Sequence, residues 1–149
     1  LGSSPGGWTQ VILSYNPKTN ITCFDLLDMK MNNQRIAFYR EDFLKFNFTN
    51  LKNKFDLVLS DVAPNTTGHQ STDHLRISQL IYEVIDRLEI ILKKQGSFIF
   101  KIWKGEEEKG IIKLLKRIFE KVEYFKPKSS RQESSEIFII SRAFRSHDE

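Results

Sequence analysis

Strand-like and helix-like segments alternate along the 149 residues of this chain, and this alternation limits the folds open to it. Short apolar runs predict strands, and apolar residues every three or four positions predict amphipathic helices. The predicted strands are 20–25, 35–39, 55–60, 97–103, 122–125 and 137–140; the predicted helices are 8–15, one capped by Ser71-Thr-Asp73 and stopped by Gly96, and one beginning at Glu106–Glu108. This order favours an α/β fold, a doubly wound sheet with helices on both faces.

The chain opens on Leu1-Gly-Ser-Ser-Pro-Gly-Gly-Trp8, which has the pattern of a strand end and its following loop. A doubly wound sheet needs its first strand at the centre. We therefore expect residues 1–149 to form a single domain that is incomplete at its N-terminus. The length is sufficient for one domain with its own hydrophobic core.

Composition and charge limit the cellular compartments and the classes of binding partner expected for this chain. The single cysteine, Cys23, excludes an internal disulfide and a multi-cysteine metal site. No secretion signal opens the sequence and no apolar run could span a bilayer, so we expect a cytoplasmic protein with no membrane partner. We also expect a monomer. Residues 93–145 carry 14 basic and seven acidic side chains, which suggests a polyanion such as nucleic acid, although a solvated lysine-rich surface explains the bias equally well. The three histidines lack a metal-binding spacing, so no metal is predicted.

A glycine-rich loop and two acidic residues predict a nucleotide site. Gly2 to Gly7 lead into a helix, where glycines allow close backbone approach and the helix start supplies N–H groups. Asp25 ends the second predicted strand, where nucleotide-binding folds place an acid on the ribose hydroxyls. Asp42, after the third strand, could accept a hydrogen bond from an adenine amino group. The alternative for each acid is a carboxylate that caps a turn.

Three charged residues at the ends of predicted strands are expected to meet. Lys101 interrupts an apolar strand, Asp61 ends another, and Glu136 opens a third. Burial of an unpaired charge is costly, so such groups are usually paired or functional. We expect burial to lower the pKa of Lys101 toward working pH, although the neighbouring acids oppose this shift, so that a neutral amine could accept or steer the proton of a ribose hydroxyl. The alternative is an ion-pair network that only fixes the packing of the strands.

The sequence resembles the FtsJ family of RNA ribose 2′-O-methyltransferases over nearly its whole length, and within that family the branch that acts on large-subunit ribosomal RNA. The motifs are Leu1-Gly-Ser-Ser-Pro-Gly-Gly-Trp8, Cys23-Phe-Asp25-Leu-Leu, Glu41-Asp42-Phe43, Leu59-Ser-Asp61-Val-Ala-Pro-Asn65, Gly96-Ser-Phe-Ile-Phe-Lys101, Lys126-Pro-Lys-Ser-Ser-Arg131 and Ser135-Glu136-Ile-Phe. The Asp-x-Ala-Pro-Asn and Lys-Pro-x-Ser-Ser-Arg stretches are specific when they occur together.

This resemblance implies a Rossmann-like fold with a mostly parallel sheet and an antiparallel last strand. It implies S-adenosylmethionine as the cofactor and a uridine of 23S ribosomal RNA as the target. Lys101 would be the catalytic lysine, with Asp61 and Glu136 as its partners. The cofactor would be lined by Gly6, Trp8, Asp25, Asp42 and Asp61. Apart from the resemblance, we expect phosphates to be contacted by four basic residues near the substrate side, Lys104, Lys126, Lys128 and Arg131. The family's catalytic group is Lys-Asp-Lys-Glu, and its first lysine and an N-terminal helix precede the Gly-rich loop, upstream of the sequence shown.

Other functions compete with this interpretation. A tRNA or mRNA-cap 2′-O-methyltransferase would share the same motifs. An RNA-binding relative that has lost catalysis would also fit, since the upstream lysine is absent from the sequence. An NAD-dependent dehydrogenase would share the Gly-rich loop and Asp25, but it would leave Lys101 and Glu136 unexplained, and the loop does not match dinucleotide spacing.

Overall fold

The computed structural model describes residues 1–65, 67–128 and 134–145, which form two compact units, Leu1–Asn47 and Phe48–Glu149. The first unit contains helix α1 (Gly7–Tyr15) and two parallel strands, β1 (Ile21–Phe24) and β2 (Ile36–Tyr39). Its core is aromatic. Phe24 is almost fully buried, stacks on Tyr39 at 5.0 Å between ring centroids, and meets Phe46 edge to face at 4.8 Å.

The second unit contains a four-stranded sheet and two helices. Its strands and helices, which follow a 3₁₀ turn at Phe48–Leu51, are β3 (Phe55–Ser60), α2 (Gln70–Ile91), β4 (Leu92–Trp103), α3 (Glu106–Ile118), β5 (Phe119–Phe125) and β6 (Glu136–Phe144). The strand order is β3-β4-β6-β5. β3 and β4 are parallel, whereas the last strand, β6, lies antiparallel between β4 and β5.

The core of this second unit is built on one face of the sheet. Along β4, burial alternates: Phe98, Phe100 and Ile102 are buried, and the residues between them are partly exposed. On β6, Ile137 and Ile139 pair with the buried set and are themselves buried. Helix α2 contacts β4, and α3 packs against α2 and β5. The buried stripes of these helices consist mainly of Ile77, Ile81, Val84, Ile85, Leu88, Ile91, Ile111, Ile112 and Leu115.

The alternating pattern and the antiparallel last strand are confirmed, but the predicted limits of α2 are wrong. The helix begins at Gln70 with His69 as its N-cap, so the predicted cap at Ser71-Thr-Asp73 lies inside it. It ends at Ile91, and Gly96 belongs to β4. Gly96 has a packing role, because a Cβ there would lie 2.8 Å from both the Leu92 Cγ and the Lys93 carbonyl oxygen. In the described part of the chain, no helix is both long and apolar enough to cross a membrane.

Truncation of the buried aromatic face should destabilise the protein far more than truncation at the edge strand. Phe98→Ala removes a fully buried ring that stacks on Phe100 at 4.7 Å, and should lower the free energy of unfolding by about 3–5 kcal/mol. Phe125→Ala removes the same atoms from a half-exposed ring on β5 and should change it by about 0.5 kcal/mol or less. Urea unfolding of both variants measures the difference; equal losses would contradict the assignment of the core.

Candidate active site

Strand register brings Asp61, Lys101 and Glu136 together. Ser60 pairs with Phe100 across the parallel β3–β4 ladder, so the next residues, Asp61 and Lys101, are neighbours. On the other side of β4, Glu136 pairs with Trp103, two residues beyond Lys101 on the same face. The three side chains therefore come from three adjacent strands at one edge of the sheet.

The side chains form a compact charged cluster. Lys101 Nζ lies 2.7 Å from Asp61 Oδ1 and 3.4 Å from Glu136 Oε1. The side chains of Lys101 and Asp61 are 26% and 31% exposed, whereas that of Glu136 is 45% exposed. The ammonium is thus held tightly by one carboxylate and loosely by a second, more open one. This arrangement confirms that the three charges meet.

The predicted direction of the Lys101 pKa is wrong. Burial alone lowers this pKa, but the hydrogen bond to Asp61 and the negative charges of Asp61 and Glu136 together outweigh burial, so the pKa of Lys101 is raised above its ordinary 10.5. The reason is geometric, since the site is too open for desolvation to prevail over two nearby carboxylates. Lys101 is consequently an ammonium at neutral pH.

Sequence reasoning missed the polar groups that hold Glu136. Trp103 Nε1 donates toward Glu136 Oε1 at 3.4 Å, and the Glu136 N–H donates to Ser134 Oγ at 3.2 Å. The Lys104 N–H donates to the Ser135 carbonyl oxygen at 2.9 Å, which ties the end of β4 to the residue before Glu136. The alternation of β4 could have revealed Trp103, because it falls on the same face as Lys101.

Asp73 is a second group that the sequence interpretation misassigned. Its carboxylate accepts hydrogen bonds from the Thr67 N–H and hydroxyl, both at 2.8 Å, and from the Gly68 N–H at 3.2 Å. These bonds, the one from the Thr67 N–H foremost, lower the pKa of Asp73 below its ordinary 3.8 although burial opposes them. Asp73 therefore fastens the loop that follows Asp61 to the start of α2. Its position four residues before Ile77 on the buried stripe was the available signal.

His74 lies between the end of β4 and the start of α3. Its ring is 5.4 Å from that of Trp103, and a Cβ on Gly105 would come within 2.7 Å of His74 Nδ1. Its Nε2 is buried and has no hydrogen-bond partner within the described ranges. The close contact requires glycine at position 105.

The Gly-rich loop of the first unit is held by Asp25. Asp25 Oδ2 accepts from the Ser4 N–H and Oδ1 accepts from the Leu27 N–H, each at 2.8 Å. The Gly2 N–H donates to the Phe24 carbonyl oxygen at 2.9 Å, which ties the loop to the end of β1. Asp25 thus organises the loop through backbone hydrogen bonds.

Gly6, the N-cap of α1, has a conformation that only glycine adopts readily. Its φ is 120°, and an added Cβ would lie 2.6 Å from the Met31 sulfur. Trp8, the second residue of α1, is half-buried. Glycine is therefore needed at position 6 both for its backbone conformation and for the close approach of the Met31 side chain.

Asp42 has the turn-capping geometry that was its alternative interpretation. Its Oδ1 accepts from the Leu44 N–H at 3.0 Å, and its carbonyl oxygen accepts from the Lys45 N–H at 3.0 Å. Contact with an adenine amino group stays a prediction. Of the predicted phosphate contacts, Lys104, Lys126 and Lys128 are exposed, Lys126 Nζ donates to the Ser134 carbonyl oxygen at 2.7 Å, and Arg131 lies outside the described residues.

Known proteins resemble this chain in sequence. The profile of the FtsJ-like methyltransferase family matches residues 1–144. Curated proteins called ribosomal RNA large subunit methyltransferase E are similar: that of Gluconobacter oxydans is 39% identical, and the match covers 97% of this chain and 55% of that protein. The Zymomonas mobilis protein is 39% identical, and the match covers 97% of this chain and 67% of that protein. The Wolbachia pipientis protein is 38% identical, and the match covers 97% of this chain and 76% of that protein. The chain thus spans between 55% and 76% of the length of these relatives.

Solved structures support the fold. A Plasmodium falciparum protein provisionally assigned as a ribosomal RNA methyltransferase superposes with a TM-score of 0.83 at 27% identity, covering 96% of this chain and 83% of that chain. A Burkholderia thailandensis 1,6-didemethyltoxoflavin-N1-methyltransferase, solved with S-adenosylhomocysteine, superposes with a TM-score of 0.59 at 13% identity. The match covers 97% of this chain and 68% of that chain. The latter likeness concerns the fold alone.

The Lys101–Asp61 pair should be energetically coupled and should respond to alkaline pH. A double-mutant cycle of Lys101→Met and Asp61→Asn, measured by urea unfolding, should give a coupling of about 1 kcal/mol. Because the folded pKa of Lys101 is raised, this stabilisation should be fully present below pH 10.5 and lost as the pH rises through the folded value.

The chain provides a matched control for this cycle. Lys93 Nζ lies 2.8 Å from Asp56 Oδ1 on the same two strands, but the side chains are 45% and 83% exposed. Solvent screening should reduce its coupling to about 0.5 kcal/mol or less. A coupling at Lys101–Asp61 no larger than at Lys93–Asp56 would contradict the special status of the cluster.

Proposed function

This chain belongs to the FtsJ-like methyltransferase family and has its Rossmann-like fold, and on that premise we propose that it transfers a methyl group from S-adenosylmethionine to a ribose 2′-hydroxyl of large-subunit ribosomal RNA. A uridine of 23S ribosomal RNA is the proposed target. The relatives named above carry that ribosomal substrate class in their names. The basic bias of residues 93–145 supports a polyanionic substrate.

The observation that carries the proposal is the Lys101 cluster. A 2′-hydroxyl is a weak nucleophile, so methyl transfer requires a group that aligns its oxygen and manages its proton. Lys101 Nζ, 2.7 Å from Asp61 and 3.4 Å from Glu136, is a positioned cation at the edge of the sheet. Open α/β sheets bind ligands beyond the carboxyl ends of their strands, where this cation lies.

The loop of the first unit fits the proposed cofactor. Gly6 has a φ of 120°, which only glycine adopts readily, and no side-chain hydrogen bond among the described residues caps α1 at that point. Asp25 is proposed to accept hydrogen bonds from ribose hydroxyls with the lone pairs that its two backbone contacts leave over. Trp8 and Asp42 are proposed to complete the lining that this unit provides. S-adenosylmethionine supplies a methyl group that its positively charged sulfur has already activated.

Protonation of Lys101 defines its proposed role. An ammonium cannot accept the proton of the 2′-hydroxyl, but it can donate a hydrogen bond to the 2′-oxygen and stabilise the negative charge that develops there. The proton leaves toward the carboxylates of the cluster or toward water. Asp61 keeps Nζ in place, and Glu136, held by the Trp103 N–H, orients it from the other side. Exposed lysines at 104, 126 and 128 are proposed to hold RNA phosphates nearby.

Methyl transfer from a radiolabelled donor tests the function directly. Large-subunit ribosomal RNA, the assembled subunit, bulk tRNA and capped mRNA are offered in parallel, and labelled ribose is identified after digestion. Label in a 23S uridine supports the proposal, whereas label only in tRNA or cap ribose assigns one of the other branches. Binding of RNA without transfer by the full-length protein would indicate a relative that has lost catalysis.

Removal of the Lys101 ammonium should stop turnover without loss of cofactor affinity. Lys101→Met should lower the single-turnover rate by about 10²–10⁴-fold, because it removes the donor to the reacting oxygen. Glu136→Gln should have a smaller effect, since Asp61 still holds the amine. Single-turnover assays on the full-length protein measure the rates, and calorimetry measures S-adenosylmethionine binding.

Lys93→Met is the matched control, because Lys93 lies on the same strand in another lysine–aspartate pair. This substitution should leave the single-turnover rate and the S-adenosylmethionine affinity unchanged. The pH–rate profile adds a second criterion. An ammonium role predicts no rise in rate from titration of Lys101 below pH 10.5, since its pKa is raised. A parent rate in Lys101→Met, or a rate that rises log-linearly with pH only when Lys101 is present, would disprove this role.

Asp25 should be required for cofactor binding. Asp25→Ala removes an acceptor of the Ser4 N–H and of the proposed ribose contacts, and the loss of a charge-assisted hydrogen bond costs roughly 1.5–3 kcal/mol of binding free energy. Asp28→Ala is the control, because Asp28 lies in the same loop in an exposed pair with Arg40. Calorimetry with S-adenosylmethionine and with NAD measures both variants. Equal S-adenosylmethionine affinity in the parent and Asp25→Ala, or tighter NAD binding, would refute the cofactor assignment.

A further inference from the structure

A basic groove lies between α3 and the edge strand β5, on residues that the proposed chemistry does not use. Its volume is about 320 Å³, and it is lined by Lys109, Ile112, Lys113, Lys116 and Tyr124. The three lysines are exposed, and the acidic side chain that borders the groove is that of Glu108, which hydrogen-bonds with Tyr124. We call this set of five residues the α3–β5 groove.

The lysines of the groove form a single row. Their positions differ by four and then three residues, so they follow one face of α3. At 1.5 Å per residue the row extends about 10.5 Å along the helix axis. A stacked nucleic-acid strand rises about 3.4 Å per nucleotide, so this row has the length of a few successive phosphates.

Tyr124 gives the groove an aromatic surface. It is 54% exposed on β5, next to Ile112 of the helix. Burial and then a hydrogen bond with Glu108 raise its pKa to about 12, so the phenol stays neutral beside the lysines. An exposed aromatic ring among cations provides the two contacts that single-stranded nucleic acid needs, stacking for bases and charge for phosphates.

Register fixes the distance between the groove and the Lys101 cluster. Tyr124 pairs with Ile139 of β6, which pairs with Phe100 of β4, the residue before Lys101. The backbone of Tyr124 therefore lies level with the cluster and two strand spacings away, about 9.6 Å across the sheet, while its side chain is on the face opposite to that of Lys101. The next residue, Phe125, is also half-exposed and points to the opposite face, on the row of Lys101. An extended RNA strand could pass from the groove around the edge strand β5 to the Lys101 cluster on the other face.

We propose that the α3–β5 groove binds a single-stranded RNA segment that flanks the methylated nucleotide, with phosphates on Lys109, Lys113 and Lys116 and a base stacked on Tyr124. This inference rests on the proposed function, because it takes the substrate to be RNA. An acidic peptide would satisfy the lysines but would leave Tyr124 without a base to stack on. A merely solvated lysine face would not explain why the row borders an exposed aromatic ring.

Affinity for a labelled single-stranded oligouridylate, measured by fluorescence anisotropy over a range of salt concentrations, tests the groove. Replacing the three lysines by glutamine should flatten the salt slope by about 2, at roughly 0.7 per phosphate contact with a single strand. The matched control replaces Lys52, Lys54 and Lys94, exposed lysines near the amino-terminal ends of β3 and β4, and should leave the slope unchanged.

Stacking is tested separately at Tyr124. Tyr124→Ala should weaken binding between about fivefold and 150-fold, whereas Tyr124→Phe keeps the ring and should retain affinity. Ultraviolet crosslinking of the oligouridylate should map to Tyr124. The proposal is overturned if the lysine triple variant keeps the parent slope, if Tyr124→Ala binds like Tyr124→Phe, or if poly-glutamate competes as well as RNA of equal charge.

These outcomes are independent of the proposed function. Oligonucleotide affinity requires no methyl transfer, so a protein that binds through the groove but methylates no RNA would refute the function and keep the groove. A protein that methylates ribosomal RNA while its groove variants keep parent affinity and parent KM would refute the groove alone. Thermal unfolding of each variant confirms that the fold is retained.

Discussion

Strand β6 hydrogen-bonds to β4 on one side and to β5 on the other, and it runs antiparallel to both. This insertion places Glu136 beside the lysine of β4 and leaves β5 as the sheet edge. If β5 lay directly beside β4, Lys101 would have only Asp61 as a partner, and Tyr124 would be one strand spacing from it. The pairing of one strand thus determines both the charge environment of the cluster and the position of the α3–β5 groove.

The charge state of Lys101 results from a competition that sequence cannot resolve. Its place in an apolar strand correctly predicted a costly position, and the acids at neighbouring strand ends correctly predicted its partners. The direction in which the pKa of Lys101 shifts depends on how exposed the three side chains of the cluster are. It also depends on the distances from Nζ to Asp61 Oδ1, 2.7 Å, and to Glu136 Oε1, 3.4 Å. Those quantities arise only once the strands are aligned, so the neutral amine expected from burial became an ammonium in the folded unit.

The sequence predicted the elements best where periodicity was strong and the ends were marked. β3 was predicted to the residue, and α1 to within one residue. The failures concern tertiary contacts. Asp73 is a residue type typical of N-caps, but its carboxylate accepts hydrogen bonds from the Thr67 and Gly68 N–H groups. Gly96 is a residue type typical of helix ends, but it lies within β4. Asp25 does contact the Gly-rich loop, but its hydrogen bond to the Ser4 N–H joins residues 21 apart in sequence, and its role in cofactor binding stays a prediction.

The strand around Gly96 shows how packing on the buried face of β4 determines where Lys101 lies on the exposed face. Between two ladder positions β3 advances by two residues, from Phe55 to Leu57, while β4 advances by five, from Leu92 to Ser97. The extra residues include Gln95, at φ 67°, and the tightly packed Gly96. After this irregularity Phe98, Phe100 and Ile102 face the core, and alternation directs Lys101 the other way. A shift of one residue would bury the ammonium and expose the phenylalanines. The apolar side chains therefore fix the register, and the register in turn places the lysine beside Asp61.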